Sequence, residues 1–371
     1  MRQITVIVNN VEGYARGILR GVMPFAFSRG WECRVVGAGL AGQTDNIGRG
    51  DVAGDGVIVQ AGSNAVLSRL AKLGFPVVNV SSSIDAGDVP TVVCDDLAVG
   101  RLGAEHFLRL GFRQFIWYAP LDRHFAKLRQ NGFVGQLDEK ELECSIAFDR
   151  TELNRLLSTV AKPLAVMCCN DTCALEVLAL CRGGGLKVPD QVAVLGVDND
   201  DLMQSLAFPP LSSIGTATEQ IGFEAAVLLE RLMNRQAVKN LRIKIPPTGI
   251  IARRSTDLTA VNDPEVAEAL RFIRQHAAGP LDVDRVLQTV TVSRRQLERR
   301  FRNCLGRSML DEIRRCRLER ARQLLLESDL TLPQIATASG FSSASYLTVV
   351  FGEATGETPG GFRRKVRRLG E

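Results

Sequence analysis

The fold class that the sequence predicts is two α/β lobes of parallel sheet followed by an all-α domain with two helix–turn–helix units. Three observations predict it. Short β-branched runs alternate with amphipathic stretches through the first 250 residues. The last 110 residues are patterned almost wholly as helix. Within them one segment recurs at a spacing of about 50 residues.

The strand-like runs fall at 4–8, 33–36, 56–59, 77–80, 115–118, 164–168 and 192–197. Between them, stretches at 96–110, 171–182 and 219–233 carry apolar residues at helical spacing, as Val99, Leu102, Phe107 and Leu110 do. Continuous apolar strands that alternate with helices imply parallel sheets covered on both faces. There are too many such units for one simple sheet, so two lobes are expected. Ligands of such sheets sit beyond the carboxyl ends of the strands. The loops there carry Asn9-Asn10, Asn170-Asp171 and Asp198-Asn199-Asp200-Asp201, hydrogen-bonding groups suited to an uncharged polyol or sugar.

The composition, 45% hydrophobic and 23% charged over 371 residues, excludes a disordered, collagenous or coiled-coil chain. No run of 18 apolar residues occurs, so no membrane partner is expected. The apolar run 4–8 is too short for an export signal, and nine irregularly spaced cysteines read as reduced thiols, so a cytoplasmic location is expected. Cys168, Cys169, Cys173 and Cys181 read as small hydrophobes on a buried strand and the next helix. Neither a metal nor a cofactor is expected. His106, His124 and His276 lack nucleophile–base spacing, and no phosphate-binding loop or nucleophile elbow appears, so the chain does not read as an enzyme.

The net charge of +5 is concentrated at one end. Residues 262–371 hold 19 Lys+Arg, 18 of them Arg, against 14 Asp+Glu; residues 1–261 hold 27 of each. A basic, Arg-rich C-terminal module on a neutral body points to double-stranded DNA. The polar stretch 257–263 reads as the linker between a domain at 1–256 and one at 264–371. Asp263-Pro264 then opens a helix as N-cap and first residue. Two helix–turn–helix units are expected at 281–305 and 331–352. Leu297 and Leu347, Phe301 and Phe351, and Gly306 and Gly356 correspond at a separation of 50. Ser293-x-x-Gln296 and Thr331-x-x-Gln334 read as capping boxes, and Gly340 as a helix end. The first recognition helix turns Arg294, Arg295, Glu298, Arg299 and Arg302 outward, and the second Ala344, Ser345, Thr348 and Val349. Glu298 either reads a cytosine or pairs with Arg294 or Arg302. Arg363, Arg364 and Lys365 in the basic tail are candidate phosphate contacts.

Five blocks in order carry a resemblance: VCDDLAVG at 93–100, with AEHF at 104–107 and LGFR at 110–113; RQNGF at 129–133; GVDN at 196–199; PPLSSI at 209–214; and IARRST at 251–256. Together they resemble the LacI/GalR-type sugar-sensing core, although the DNA-binding helices that precede such a core are not found here. The resemblance implies a type I periplasmic-binding-protein-like fold and a small sugar effector. It puts Arg129, Asp171 and Asp198 at ligand-contact positions; Asp171 would otherwise cap the following helix, and Asp198 would order a loop. Asn10, Tyr14 and Arg16, after the first strand, are further candidates for the effector site. IATASGF at 335–341, SYL at 345–347, Phe351, Gly356, Thr358-Pro359 and Phe362-Arg363 resemble the AraC/XylS-type DNA-binding domain. In that family Arg is typical where Val349 stands. The second helix is therefore expected to use methyl contacts, Ser/Thr hydrogen bonds or phosphate anchoring. The combined resemblance implies a sugar-controlled, sequence-specific transcription regulator: a homodimer, an activator working through RNA polymerase. The alternatives are a repressor with another carbohydrate effector, or a transport sugar-binding protein.

Overall fold

The computed structural model describes residues 1–9, 12–37, 50, 52–238, 240–257, 263–328 and 330–368. Asn10 and residues 258–262 of the expected linker lie outside them. The chain forms two compact units that divide near residue 257.

The first unit begins β1 (Gln3–Val8), α1 (Gly13–Ser28), β2 (Glu32–Gly37), β3 (Gly56–Val59), α2 (Asn64–Lys72), β4 (Val77–Asn79), β5 (Thr91–Cys94) and α3 (Asp96–Arg109). It continues β6 (Phe115–Tyr118), α4 (His124–Asp138), β7 (Cys144–Ala147), α5 (Arg150–Thr159), β8 (Leu164–Cys168), α6 (Asp171–Gly183), β9 (Val192–Asp198) and α7 (Asp201–Leu206). It ends β10 (Ser212–Gly215), α8 (Thr218–Met233), β11 (Arg242–Ile245) and β12 (Gly249–Ile251). The strands form two six-stranded sheets, in the orders β11-β5-β4-β3-β1-β2 and β12-β10-β9-β8-β6-β7. Only β12 runs antiparallel to its neighbour among these strands. The chain passes between the sheets three times: from β5 to β6, from β10 to β11 and from β11 to β12.

The apolar runs legible in the sequence became strands, with β3, β6 and β8 buried along their whole length; the run at 33–36 departs from the expected covered strand, forming the edge strand β2 with four of its six residues exposed. The strands without such a signal are β5, β7, β10, β11 and β12. β10 opens with two fully buried serines, a pattern that reads as loop. They are tolerated because both are hydrogen-bonded: Ser212 Oγ donates to Arg253 O at 2.9 Å, and Ser213 Oγ donates to Asp171 Oδ1 at 2.6 Å. β11, with Arg242 and Lys244, is a charged edge strand.

Close helix crossings set the site. A Cβ on Gly100 of α3 would stand 2.0 Å from Arg129 O, and one on Gly132 of α4 would stand 2.1 Å from Leu97 O. Glycine at both positions lets the two backbones touch, which carries Arg129 of α4 to the N-terminus of α3.

The second unit comprises α9 (Pro264–His276), α10 (Val283–Leu287), α11 (Arg294–Leu305), α12 (Met309–Glu327), α13 (Leu332–Ala338), α14 (Ala344–Thr355) and α15 (Pro359–Arg368). Asp263 caps α9 through the Glu265 and Val266 N–H groups. The capping boxes at Ser293 and Thr331 are formed, and Gly340 has φ +81°. Leu297 and Phe301 lie in one apolar core and Leu347 and Phe351 in another. α12 supplies Met309 and Ile313 to the first and Ala321 and Leu325 to the second.

Candidate effector cleft and DNA-reading helices

The carboxyl ends of both sheets converge on Arg129. Its side chain is 5% exposed. Nε donates to Asp96 Oδ1 at 2.8 Å, Nη1 donates to Cys169 O at 2.5 Å, and Nη2 lies 3.5 Å from Asp198 Oδ1. The guanidinium also lies 4.8 Å from the centre of the Phe125 ring. Burial alone would lower the Arg129 pKa; Asp96 and Asp198 outweigh it and hold the group firmly charged. The Asp198 pKa is raised, first by burial and then by Asp96, Glu12 and Asp200, with Arg129 opposing. One cation faces two carboxylates, so the cluster carries excess negative charge.

Asp198 and Asn199 have φ of 103° and 51°, conformations that cost about 1–3 kcal/mol each outside glycine. Three groups hold this turn. Ser213 Oγ accepts from Asn199 N at 2.9 Å, Arg253 Nη2 donates to Asn199 Oδ1 at 2.9 Å, and Asp171 Oδ2 accepts from Asp200 N at 2.9 Å.

That last bond corrects the expectation for Asp171. Its residue is 1% exposed, and both carboxylate oxygens are used inside the protein: Oδ1 by Ser213, Oδ2 by Asp200 N and Gln204 Nε2. Burial, then Asp198, pushes its pKa up to about 7. Asp171 supports the turn and offers an effector no open oxygen. Nor does it cap α6; Asn170 does, accepting from Cys173 N. Tyr14 is likewise engaged, its hydroxyl donating to Val80 O at 3.0 Å; burial, then Asp96, raises its pKa well above the usual phenol range. Arg16 pairs with Asp200 at 3.3 Å.

Asn9, whose loop the sequence singled out, and two residues it did not, Asp96 and Phe148, each lie just past the carboxyl end of a strand. Asp96 Oδ2 and Asn9 Oδ1 are buried with no hydrogen-bond partner among the described residues. Phe148, just past the carboxyl end of β7, is 59% exposed. The available signal was position: each follows a parallel strand at its carboxyl end, where ligands collect. Cys168, Cys169, Cys173 and Cys181 are buried, with Cys169 Sγ 3.5 Å from Cys173 Sγ. Among the described residues no three His, Cys, Asp or Glu side chains converge to hold a metal ion, and no helix is long and apolar enough to cross a membrane.

On α11, Arg295, Arg299 and Arg302 are exposed and make no ion pair among the described residues. Arg294 lies 3.2 Å from Asp284 and 3.3 Å from Glu298. On α14, Ser345 and Val349 are exposed. Ala344 departs from the expected outward face, being half-buried against the second core, and Thr348 is half-buried with its hydroxyl donating to Ala344 O at 2.8 Å. On α15, Arg364 is exposed. Arg363 is half-buried with Nε and Nη2 enclosed, which departs from a free phosphate contact, and the Lys365 side chain lies outside the described residues.

Two family models match the chain: a periplasmic binding protein-like domain over residues 104–256 and a helix-turn-helix domain over 287–365. Fold and site thus define a sugar-sensing, DNA-binding transcription regulator. The chain is 30% identical to the xylose operon regulatory protein of Escherichia coli K12, covering 97% of this chain and 96% of that one, and 26% identical to the protein of that name in Haemophilus influenzae, covering 97% and 98%. It belongs to this family, that of the xylose operon regulatory proteins. A solved structure described as the xylose-binding transcription activator xylR superposes with a TM-score of 0.62 at 27% identity, over 98% of each chain.

Proposed function

We propose that this chain is a cytoplasmic transcription activator, switched by D-xylose or a closely similar neutral sugar bound between the two sheets. The observation that carries this reading is the buried Asp96 Oδ2, without a partner among the described residues, beside Arg129 and Asp198. A sugar hydroxyl donates to such an oxygen, whereas the excess negative charge of the cluster repels a sugar phosphate. Asn9 Oδ1 takes a second hydroxyl, Asp198 a third, and Phe148 offers an apolar ring for a sugar face. The names of the relatives above supply the choice of xylose.

A sugar held by groups from both sheets favours the closed arrangement of the lobes, because it has more partners there than in the open one. The sensor occupies residues 1–256, the linker 257–263 and the DNA-binding domain 264–371. The protein acts as a homodimer that places paired helix–turn–helix units on operator DNA and recruits RNA polymerase. It turns over no substrate.

Calorimetric titration with D-xylose, L-arabinose, D-ribose, D-glucose and D-xylose 5-phosphate tests the sensor. Binding of a neutral pentose, abolished by Asp198→Ala and absent for the phosphate, is the expected result. Heat from the phosphate alone, or from no neutral sugar, would refute it. A turnover assay on the bound sugar checks that it is an effector and not a substrate.

A further inference from the structure

The internal repeat supplies a frame for reading the second recognition helix. Leu297 and Leu347, Phe301 and Phe351, and the left-handed glycines Gly306 and Gly356 are equivalent at an offset of 50. The same offset sets Val349 in the place of Arg299, Ser345 in that of Arg295 and Thr348 in that of Glu298.

The two helices offer opposite chemistry at these positions. α11 exposes three arginines. α14 contains no basic residue, and its single charge is Glu353. The Thr348 donor is spent on Ala344 O inside the helix. Val349 is 56% exposed, an aliphatic β-branched residue on a helix surface where neither helix propensity nor solvation favours it.

Such a face cannot make a bidentate hydrogen bond to a purine, nor anchor phosphate by charge. The group in the major groove that matches an exposed branched aliphatic is the C5 methyl of thymine. Resting on the assignment of the tandem helices to DNA, we propose that Val349 is a specificity-determining residue that reads a thymine methyl. The two halves of the DNA-binding domain then read by different chemistries. The Arg-bearing half reads by hydrogen bonding and contributes a salt-dependent attraction; the half around Val349 reads by apolar contact.

The test uses the full-length protein. Duplexes are selected from a randomised pool, and each thymine of the selected sequence is replaced singly by deoxyuridine, which removes only the methyl. We expect at least one position where this change weakens wild-type binding about fourfold, as loss of one buried methyl group would. At that position Val349→Ala should already be weakened and should show no further loss, while Arg299→Ala should retain the methyl effect. Val349 is exposed, so its replacement leaves the fold intact, which a melting curve checks. The proposal is overturned if no thymine methyl matters, or if the methyl effect persists in Val349→Ala. It is also overturned if Val349→Ala leaves DNA binding unchanged but lowers transcription, which would give this face to a protein partner. Failure to select any duplex would instead sink the DNA-binding assignment itself.

Discussion

Asp200 Oδ2 accepts the N–H of Gly13 at 2.8 Å, which joins the turn after β9 of one sheet to the start of α1 from the other. Arg16 adds an ion pair at 3.3 Å, and Asp171 holds the Asp200 backbone from behind. The two lobes of the sensor are therefore latched across the cleft by a carboxylate at a helix N-terminus, a favourable place for negative charge. A Cβ at Gly13 would stand 2.1 Å from Asp200 Oδ2, so the latch requires glycine there. We predict that Gly13→Ala and Asp200→Ala each weaken effector binding by about tenfold to a hundredfold, by removing a charge-assisted hydrogen bond of about 1.5–3 kcal/mol from the closed form. Small-angle scattering should show a more open sensor. Unchanged affinity in both variants would mean that the latch does not govern closure.

Asp171 predicts a pH dependence. Its folded pKa of about 7 lies above the roughly 3.9 of an unfolded aspartate. The folded protein therefore retains a proton that the unfolded chain releases. The resulting stability is complete below about pH 4 and is lost as pH rises through 7, by about 3–4 kcal/mol at most. Asp171→Asn keeps an oxygen to accept from Asp200 N and carries no titrating proton, so it should flatten this slope between pH 4 and 7. Chemical denaturation across that range measures it; an unaltered slope would remove Asp171 as its source.

Glu312 predicts the opposite sign in the DNA-binding unit. It is fully buried, with Arg315 Nη2 and Arg307 Nε each 2.6 Å from its carboxylate and Arg274 Nε at 3.8 Å. Burial would raise its pKa, but Arg315, Arg307 and Arg274 together bring it down to about 2. Its contribution, of the order of 3 kcal/mol, is present above about pH 4.5 and lost as pH falls through 2. Glu312→Gln strands three cations around a neutral group and should destabilise this unit by about 3–5 kcal/mol. Arg307 lies just past Gly306, the cap of α11, so the same variant should also weaken DNA binding, read by melting and by gel shift.

Arg299→Ala is predicted to cost about 1–3 kcal/mol on a selected duplex and far less on random DNA, because a guanine contact is sequence-specific and a phosphate contact is not. Competition binding against both duplexes gives the difference. Equal losses would demote Arg299 to a backbone contact.

The legible parts of this protein were those dictated by local pattern. Runs such as 164–168 had to become buried strands, since nothing in them can face water. Ser293 with Gln296, and Gly306 with Gly356, bounded the recognition helices through caps that depend only on near neighbours. The polar residues behaved differently. Asp171 and Asp198 looked alike in the sequence, as did Asp95 and Asp96. Ser345 and Thr348 seemed equally able to hydrogen-bond outward.

From the sequence alone followed the alternation of strand and helix, the repeat at 50 residues and the side of the chain that bears its arginines. Only tertiary structure decided which carboxylates stand open. Ser213 and Gln204, 42 and 33 residues away, close over Asp171, while one oxygen of Asp96 has no partner among the described residues. A side chain's capacity to donate or accept is set by its type, but whether that capacity remains unspent depends on donors and acceptors that folding brings from distant segments.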